Sequence, residues 1–505
     1  MLDRIKSNKL LILTLLLILL LAVGVRVGII CNEPRIYPEE GIMTPIGEAA
    51  RNLVEGRGYV IDEQYVASIV ELIINEQKLF DIQDVPPPEN EQFTPYHGIP
   101  PGPSVLLAGT YWAFGEYRYI YLRVIQAIIT SFGCLLMFLI GRELFSRRIG
   151  LIAAFLYAIY LPIAYLSTWP LHDALMPFIT LVSLYFFIKA VQTKAIKFYI
   201  LSALVIGISC YFQPSTFLLP LFFGLGLFIY NLGKSNFREH IANAAKVTAI
   251  MMAVLVLVLS PWIARNYYVT GKVMVLMRSS GPWQGMWEGF GEFGENPVGA
   301  VFSDELTYEM VKEELGYDVE YQSPEFEEHL KGKVLNTIKE HPVWWLSILA
   351  RRVPLTIVYP SEVGIQHYPR DNEGNVLWDE YSRENPGIAQ FMTLVEDGTL
   401  WEYMFWDYIQ IYPYGAFVRM LIALFAVVPF LLSIAAFWIE RRNWRKLVLV
   451  AILPVYFSAV HMMIFFAFLF KSVLPGSLAY IIFSAIALDY FYRRIIIDSH
   501  SKSMQ

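Results

Sequence analysis

Leu10 to Ile30 reads LLILTLLLILLLAVGVRVGII, an apolar run whose first charge is Arg26. A bilayer core of about 30 Å needs about 20 predominantly apolar residues in a helix, and this run meets that length. It is too long for the apolar region of a signal peptide. Cys31-Asn32-Glu33-Pro34 after it gives no small-residue cleavage pattern, so it reads as a retained first helix. Working outward, further apolar stretches of spanning length lie at approximately 119–140, 149–167, 172–190, 197–212, 215–231, 245–264, 417–438, 447–468 and 475–492. The expected fold is therefore an all-α polytopic membrane protein with about ten transmembrane helices.

The connections alternate in sign. Arg142/Arg147/Arg148, Lys189/Lys194/Lys197, Lys234/Arg238/Lys246, Arg441/Arg442/Arg445/Lys446 and the tail Arg493/Arg494/Lys502 are basic. Between them, Ala164 to Ala174 and Tyr211 to Thr216 contain no Lys or Arg, and Phe470 to Gly476 contains only Lys471. Cytoplasmic loops retain positive charge, so Arg4, Lys6 and Lys9 hold the N-terminus inside and both long polar segments, 31–118 and 265–416, fall outside. Three parts follow. Residues 1–264 form a membrane module with its first outer loop, 265–416 an outer segment with interfacial helices, and 417–505 the last spans and a cytoplasmic tail.

Composition sets limits. Hydrophobic residues make up 56% of the chain and charged ones 17%, which excludes a single soluble core. A net charge of −6 leaves no nucleic-acid footprint. Cys31, Cys134 and Cys210 lie at or in apolar spans without CxxC spacing, so they read as buried small hydrophobes rather than as a zinc site or a disulfide framework.

In the first outer segment, Thr44-Pro45 reads as an N-cap followed by Pro at the first helical position. Ile46, Ala49, Ala50 and Leu53 then share one face, and Gly56 and Gly58 end the helix, which is expected to lie on the membrane surface. Residues 60–92 read as an excursion, and Phe93 to Gly102 as a Pro-fixed return to the bilayer. In the second, Ser303 to Glu340 reads as one or two amphipathic helices. His341 to Val358 reads as an interfacial helix, because Arg351 and Arg352 interrupt it.

Carboxylates at the outer boundary are the first candidates for chemistry: Glu39 and Glu40 before the capped helix, Glu48 within it, and Asp173 after His172. Two such groups from separate loops imply a shared divalent metal (Glu40 with Asp173), a shared base function or a salt bridge. Asp173 as a simple helix-start charge, and Glu39 and Glu40 as solvated loop charges, are the plain alternatives. Guanidinium groups at this depth match phosphate oxygens, so Arg265, Arg351 and Arg352 are candidates for binding a lipid-linked substrate or for anchoring headgroups. His97 and Tyr96, beside the double proline, complete the set.

The order of these pieces resembles a known family. Gly47-Glu48-Ala49-Ala50-Arg51-Asn52-Leu53-Val54-Glu55-Gly56-Arg57-Gly58-Tyr59 resembles the first-loop motif A-x-x-L-x-x-G-x-G-[YF] of the GT-C glycosyltransferases, in the branch of protein O-mannosyltransferases and aminoarabinose transferases. Pro100-Pro101-Gly102 with Leu106-Leu107 and Phe114-Gly115, the corner Gly141-Arg142-Glu143-Leu144-Phe145, Asp173-Ala174-Leu175, and Pro261-Trp262 with Arg265-Asn266 resemble further elements, in order, over residues 10–300.

The resemblance implies a GT-C-like fold. It also implies inverting transfer of a sugar from a polyprenyl-phosphate carrier to a hydroxyl of a glycan, lipid or protein at the outer face of the plasma membrane. A sugar phosphate departs as a stable anion, so no general acid is needed, and arginines bind the developing charge. A first-loop carboxylate serves as base, with Glu40, Glu48 or Glu39 as the candidate and Asp173 as helper. Ile99 stands where some relatives carry lysine, which passes the phosphate contact to Arg265, His97 or Tyr96. The competing class, a lipid or glycan flippase, calls for internal repeats and broken midplane helices. The span interiors here are apolar instead.

Overall fold

The computed structural model describes residues 2–32, 40–76, 81–88, 90–233, 236–275, 282–293, 296–301, 303–319, 323–358, 413–464 and 469–503. The fold is all-α apart from one two-stranded hairpin. The first span is α1 (Leu2–Asn32). The outer loop holds α2 (Glu40–Val54), β1 (Val60–Asp62), α3 (Glu63–Glu76), β2 (Phe93–Pro95) and α4 (Gly102–Phe114). The membrane module continues with α5 (Tyr119–Ser131), α6 (Gly133–Leu144), α7 (Arg147–Ile159), α8 (Leu161–Leu166), α9 (Met176–Thr193), α10 (Ile196–Cys210), α11 (Leu219–Asn231) and α12 (Phe237–Thr270). The outer segment contributes α13 (Trp283–Glu288), α14 (Asp304–Leu315), α15 (Pro324–Glu340) and α16 (Pro342–Val358). The C-terminal helices are α17 (Pro413–Ile439), α18 (Trp444–Met462) and α19 (Leu469–Ser503).

By length and composition, 7 helical stretches of the described residues suffice to cross a membrane, and Ile196–Cys210 and Leu424–Ile439 are shorter apolar helices. With the pair α7–α8, these cover every stretch expected from the sequence. The stretch 149–167 is not one helix: Pro162 lacks the N–H that would bond the preceding turn, and Tyr160 turns out of the helical region at ψ 95°. Packing at the α6–α7 corner requires glycine. A Cβ on Gly141 would lie 2.7 Å from the Cα of Gly150. Cys134 and Cys210 are buried, as expected, whereas Cys31 is exposed.

Polar contacts separate the two ends of the bundle. Lys189 Nζ pairs with Glu143 at 2.9 Å, Arg148 Nε with Asp489 at 2.7 Å, and Arg445 Nη2 donates to the Leu232 carbonyl at 2.7 Å. These join the Lys/Arg-rich connections at one end. At the other, the Gly102 amide donates to the Tyr211 carbonyl (2.9 Å) and Arg123 Nε to the Thr168 carbonyl (2.8 Å), which joins the connections poor in Lys and Arg to α4 of the outer loop and to α5.

The outer loop differs from expectation in two respects. Helix α2 starts at Glu40 and runs through Pro45, so Thr44 is inside it and not its cap. Nor does its apolar face meet lipid. Met43, Ile46 and Ala50 are buried with Leu107 and Tyr111 of α4, Tyr65 of α3, Tyr119, Trp169 and Leu171. The exposed apolar surface belongs to α4, where Val105, Trp112 and Phe114 are uncovered. The hairpin pairs Val60 with Pro95, Ile61 with Thr94 and Asp62 with Phe93, which closes the excursion at its base. Ser303 and Ser323 cap α14 and α15, as the amphipathic reading requires. Both helices pack around Phe326, Leu330 and Val334 with Trp287 and Ile348.

Candidate active site

The first-loop motif forms the brace of the outer loop. Ala49 and Ala50 are fully buried. Glu48, also fully buried, accepts from Arg51 Nη2 and Asn52 Nδ2, both at 2.8 Å on Oε1. Arg51 reaches on to Glu91 and stacks over Tyr65 at 5.0 Å. Asn52 donates to the Val60 carbonyl at 3.0 Å, and Arg57 donates to Asn52 Oδ1 at 2.9 Å. These contacts tie α2 to β1, to α3 and to the segment that leads into β2. Burial lifts the Glu48 carboxyl above the usual range, and Arg51 opposes the lift. Its Oε2 has no hydrogen-bond partner among the described residues. Glu39 lies outside the described residues, and Glu40 is described only as the first residue of α2.

Asp173 lies in the turns before α9, two residues ahead of its N-cap Leu175, so it does not cap that helix. It is buried, with Oδ1 accepting from Gln213 Nε2 at 2.9 Å and Oδ2 lying 3.2 Å from His172 Nε2. Burial raises its carboxyl, while His172 and then Gln213 hold it down. Leu171, two residues earlier, shares one apolar cluster with Met43 and Ile46 of α2. The two acidic loops therefore adjoin. Tyr119 strengthens the contact by donating its hydroxyl to the Met43 carbonyl at 3.0 Å.

Arg265 joins α12 to the hairpin. Nη1 donates to the Tyr96 carbonyl (2.8 Å) and to Asn266 Oδ1 (3.0 Å), and Nη2 donates to the Tyr59 carbonyl (3.0 Å). The guanidinium stacks over Trp262 at 4.8 Å, and Trp262 meets Tyr59 edge-on at 5.4 Å and Tyr211 at 6.5 Å. Tyr96 contributes its carbonyl, while its ring is buried against Ala49 and Ile61. His97 Nδ1 lies 3.0 Å from the Pro95 carbonyl in a local turn. From Tyr211 the chain leads to Gln213 and so to Asp173. One end of the bundle thus gathers Arg265, Tyr96, His97, Asp173 and the first turn of α2.

Arg352 is placed elsewhere and corrects the sequence reading. It is buried and paired with Glu292 at 2.8 Å, and it donates to the Gly289 carbonyl (2.7 Å) and the Met462 carbonyl (2.5 Å). It fastens the outer segment to the end of α18 and offers no surface to a ligand. Arg351 is exposed beside the Phe293 ring at 5.7 Å. Among the described residues, no three His, Cys, Asp or Glu gather as a metal-binding group. Sequence reasoning missed Gln213, whose only signal is that it is a lone amide in an apolar, charge-free loop. It also gave Tyr59 and Trp262 no role of their own, although both lie within the quoted motifs.

Residues 99–264 match the family model described as dolichyl-phosphate-mannose-protein mannosyltransferase. Over that region, about a third of its length, the chain is similar to this family. The matched region contains Asp173, Gln213 and Trp262 and stops one residue short of Arg265. No curated protein matches the sequence. Among solved structures, the chain is similar to the archaeal oligosaccharyltransferase AglB from Archaeoglobus fulgidus, in complex with an inhibitory peptide and a dolichol-phosphate. That match has a TM-score of 0.48 and 14% identity and covers 99% of this chain and 52% of that one. The apo form of the A. fulgidus oligosaccharyltransferase matches with a TM-score of 0.49 and 15% identity, covering 98% and 52%. The chain thus spans about half the length of these structures.

Proposed function

We propose that this protein is an integral membrane glycosyltransferase that moves a sugar from a polyprenyl-phosphate donor to an acceptor hydroxyl, with inversion, at the extracytoplasmic face of the plasma membrane. The observation that supports the reading is that Asp173, the start of α2 and Arg265 lie at the same bundle end, opposite the basic connections. In this reaction the acceptor oxygen attacks the anomeric carbon from the face opposite the phosphate. The bond from that carbon to the phosphate oxygen breaks, and the acceptor proton passes to a carboxylate.

Glu40, at the first turn of α2, is the proposed base, and Asp173 orients the acceptor beside it. Asp173 suits that role because His172 and Gln213 fix both of its oxygens. Glu48 is the second candidate, with one oxygen committed to Arg51 and Asn52. Arg265 binds the phosphate, with His97 and Tyr96 beside it. The leaving group is already a stable anion, so a fixed cation suffices to favour its departure. The outer segment 265–416 recognises the acceptor, because its aromatic side chains suit sugar stacking.

The test is transfer from a polyprenyl-phosphate sugar by the full chain and by Glu39→Gln, Glu40→Gln, Glu48→Gln and Asp173→Asn. Loss of the base lowers turnover about 10²- to 10⁴-fold with donor binding kept. Collapse in Glu48→Gln with a normal Glu40→Gln moves the base to Glu48. Normal turnover in all four variants removes the transferase reading.

A further inference from the structure

Arg265 has two hydrogen-bonding edges, and the hairpin uses one. The guanidinium offers five N–H donors in a planar fork. The edge formed by Nη1 and Nη2 grips the Tyr96 and Tyr59 carbonyls. Tyr59 and Tyr96 flank the two strands, and the Tyr59 carbonyl also accepts the Tyr96 amide at 3.1 Å. Arg265 therefore closes the open end of the hairpin and seats it on α12. Stacking on Trp262 and on Tyr59, at 4.8 and 5.5 Å, fixes the plane of the fork. The second edge, formed by Nε and the remaining hydrogen of Nη2, has no acceptor among the described residues.

We infer that Arg265 is a two-edged clamp: one edge docks the first-loop hairpin on α12 while the other takes two oxygens of a phosphate, so that anion binding and hairpin docking reinforce each other. The inference rests on the proposal that Arg265 meets the donor phosphate, and it adds that the same residue positions the first loop. Two carbonyls and two aromatic rings hold the fork before any anion arrives, so little ordering remains when it binds. Coupling of this kind is reciprocal. An anion on the free edge slows release of the hairpin by the factor by which the docked hairpin tightens the anion. The step involves no bond making or breaking.

The experiment is hydrogen exchange at the Tyr96 amide and the strand amides of the full chain. It is recorded alone and with polyprenyl monophosphate, inorganic phosphate or an anionic diacyl phospholipid. In the wild type, polyprenyl monophosphate is expected to slow exchange about fivefold or more, and inorganic phosphate to do so at higher concentration. Arg265→Ala and Arg265→Lys are expected to exchange at least about tenfold faster without anion and to lose the anion effect, because lysine keeps the charge but not the fork.

Wild-type exchange rates in Arg265→Ala overturn the clamp. So does binding of polyprenyl monophosphate to the wild type with no change in hairpin exchange, a measurement that needs no variant to fold. Protection by the phospholipid alone overturns the carrier assignment and leaves a headgroup anchor. Protection by polyprenyl monophosphate together with failure of sugar transfer sinks the transferase reading while the clamp stands. Normal transfer with an indifferent hairpin does the reverse.

Discussion

Removing Glu292 strips the only carboxylate that the described residues place on Arg352. The Arg352 side chain is 2% exposed and that of Glu292 is 0% exposed, so neither water nor salt replaces the partner. In Glu292→Ala the guanidinium keeps the Gly289 and Met462 carbonyls but holds an uncompensated charge. Breaking a buried pair from one side costs about 3–5 kcal/mol, and about 1.4 kcal/mol is tenfold in an equilibrium. Opening of α16 from the end of α18 should therefore rise by roughly 10²- to 10³-fold. Hydrogen exchange across 342–358 and 283–293 reads this directly. The double replacement Glu292→Leu with Arg352→Met, which removes both charges, should recover most of the loss, since apolar pairs of similar volume are near neutral at such sites. Exchange in Glu292→Ala within about twofold of wild type would refute the claim that this pair docks the outer segment.

Three further outcomes are expected. Gln213→Leu removes a donor that favours ionised Asp173, so the Asp173 carboxyl rises further and the acid limb of the transfer rate moves to higher pH; an unmoved limb counts against Asp173 acting in its charged form. Gly102→Ala places a Cβ 2.6 Å from the Tyr211 carbonyl oxygen and should cost about 1–3 kcal/mol in denaturant unfolding, whereas a neutral result means that the start of α4 can shift. The folded-state carboxyl of Glu48 lies above its ordinary value, so the unfolded chain binds fewer protons there; its stability contribution is present at acid pH and is lost as pH rises through that raised value. Relative to wild type, Glu48→Gln should therefore gain stability on going from acid to neutral pH, and a parallel pH profile of melting temperature would contradict this.

The spans were legible because length and apolarity alone specify them, and the alternation of basic connections marks the two ends of the bundle without any knowledge of packing. Helix α2 shows where this reading stops. Its amphipathic pattern is real, but an apolar face does not say whether lipid or protein covers it, and here α4 does. Asp173 was found from its place in a loop without Lys or Arg, yet its partner Gln213 lies 40 residues away and carries no pattern of its own.

Three of the arginines set in apolar sequence show the limit most sharply. Arg26 turns inward from α1, bonded to Thr130 and to the Ala22 carbonyl and covered by the Tyr157 ring at 5.4 Å. Arg352 is matched by Glu292. Arg265 rests on backbone carbonyls, which every residue has and no sequence advertises. A charge count treats the three alike. Access separates them: Arg26 is 0% and Arg352 2% exposed, whereas Arg265 is only partly covered and keeps one edge without an acceptor among the described residues. A guanidinium already satisfied on a neutral surface keeps its full charge for an incoming anion, while one paired with a carboxylate must first surrender a partner. By that argument Arg265, reachable and without a carboxylate partner among the described residues, is the cation we propose to face the ligand.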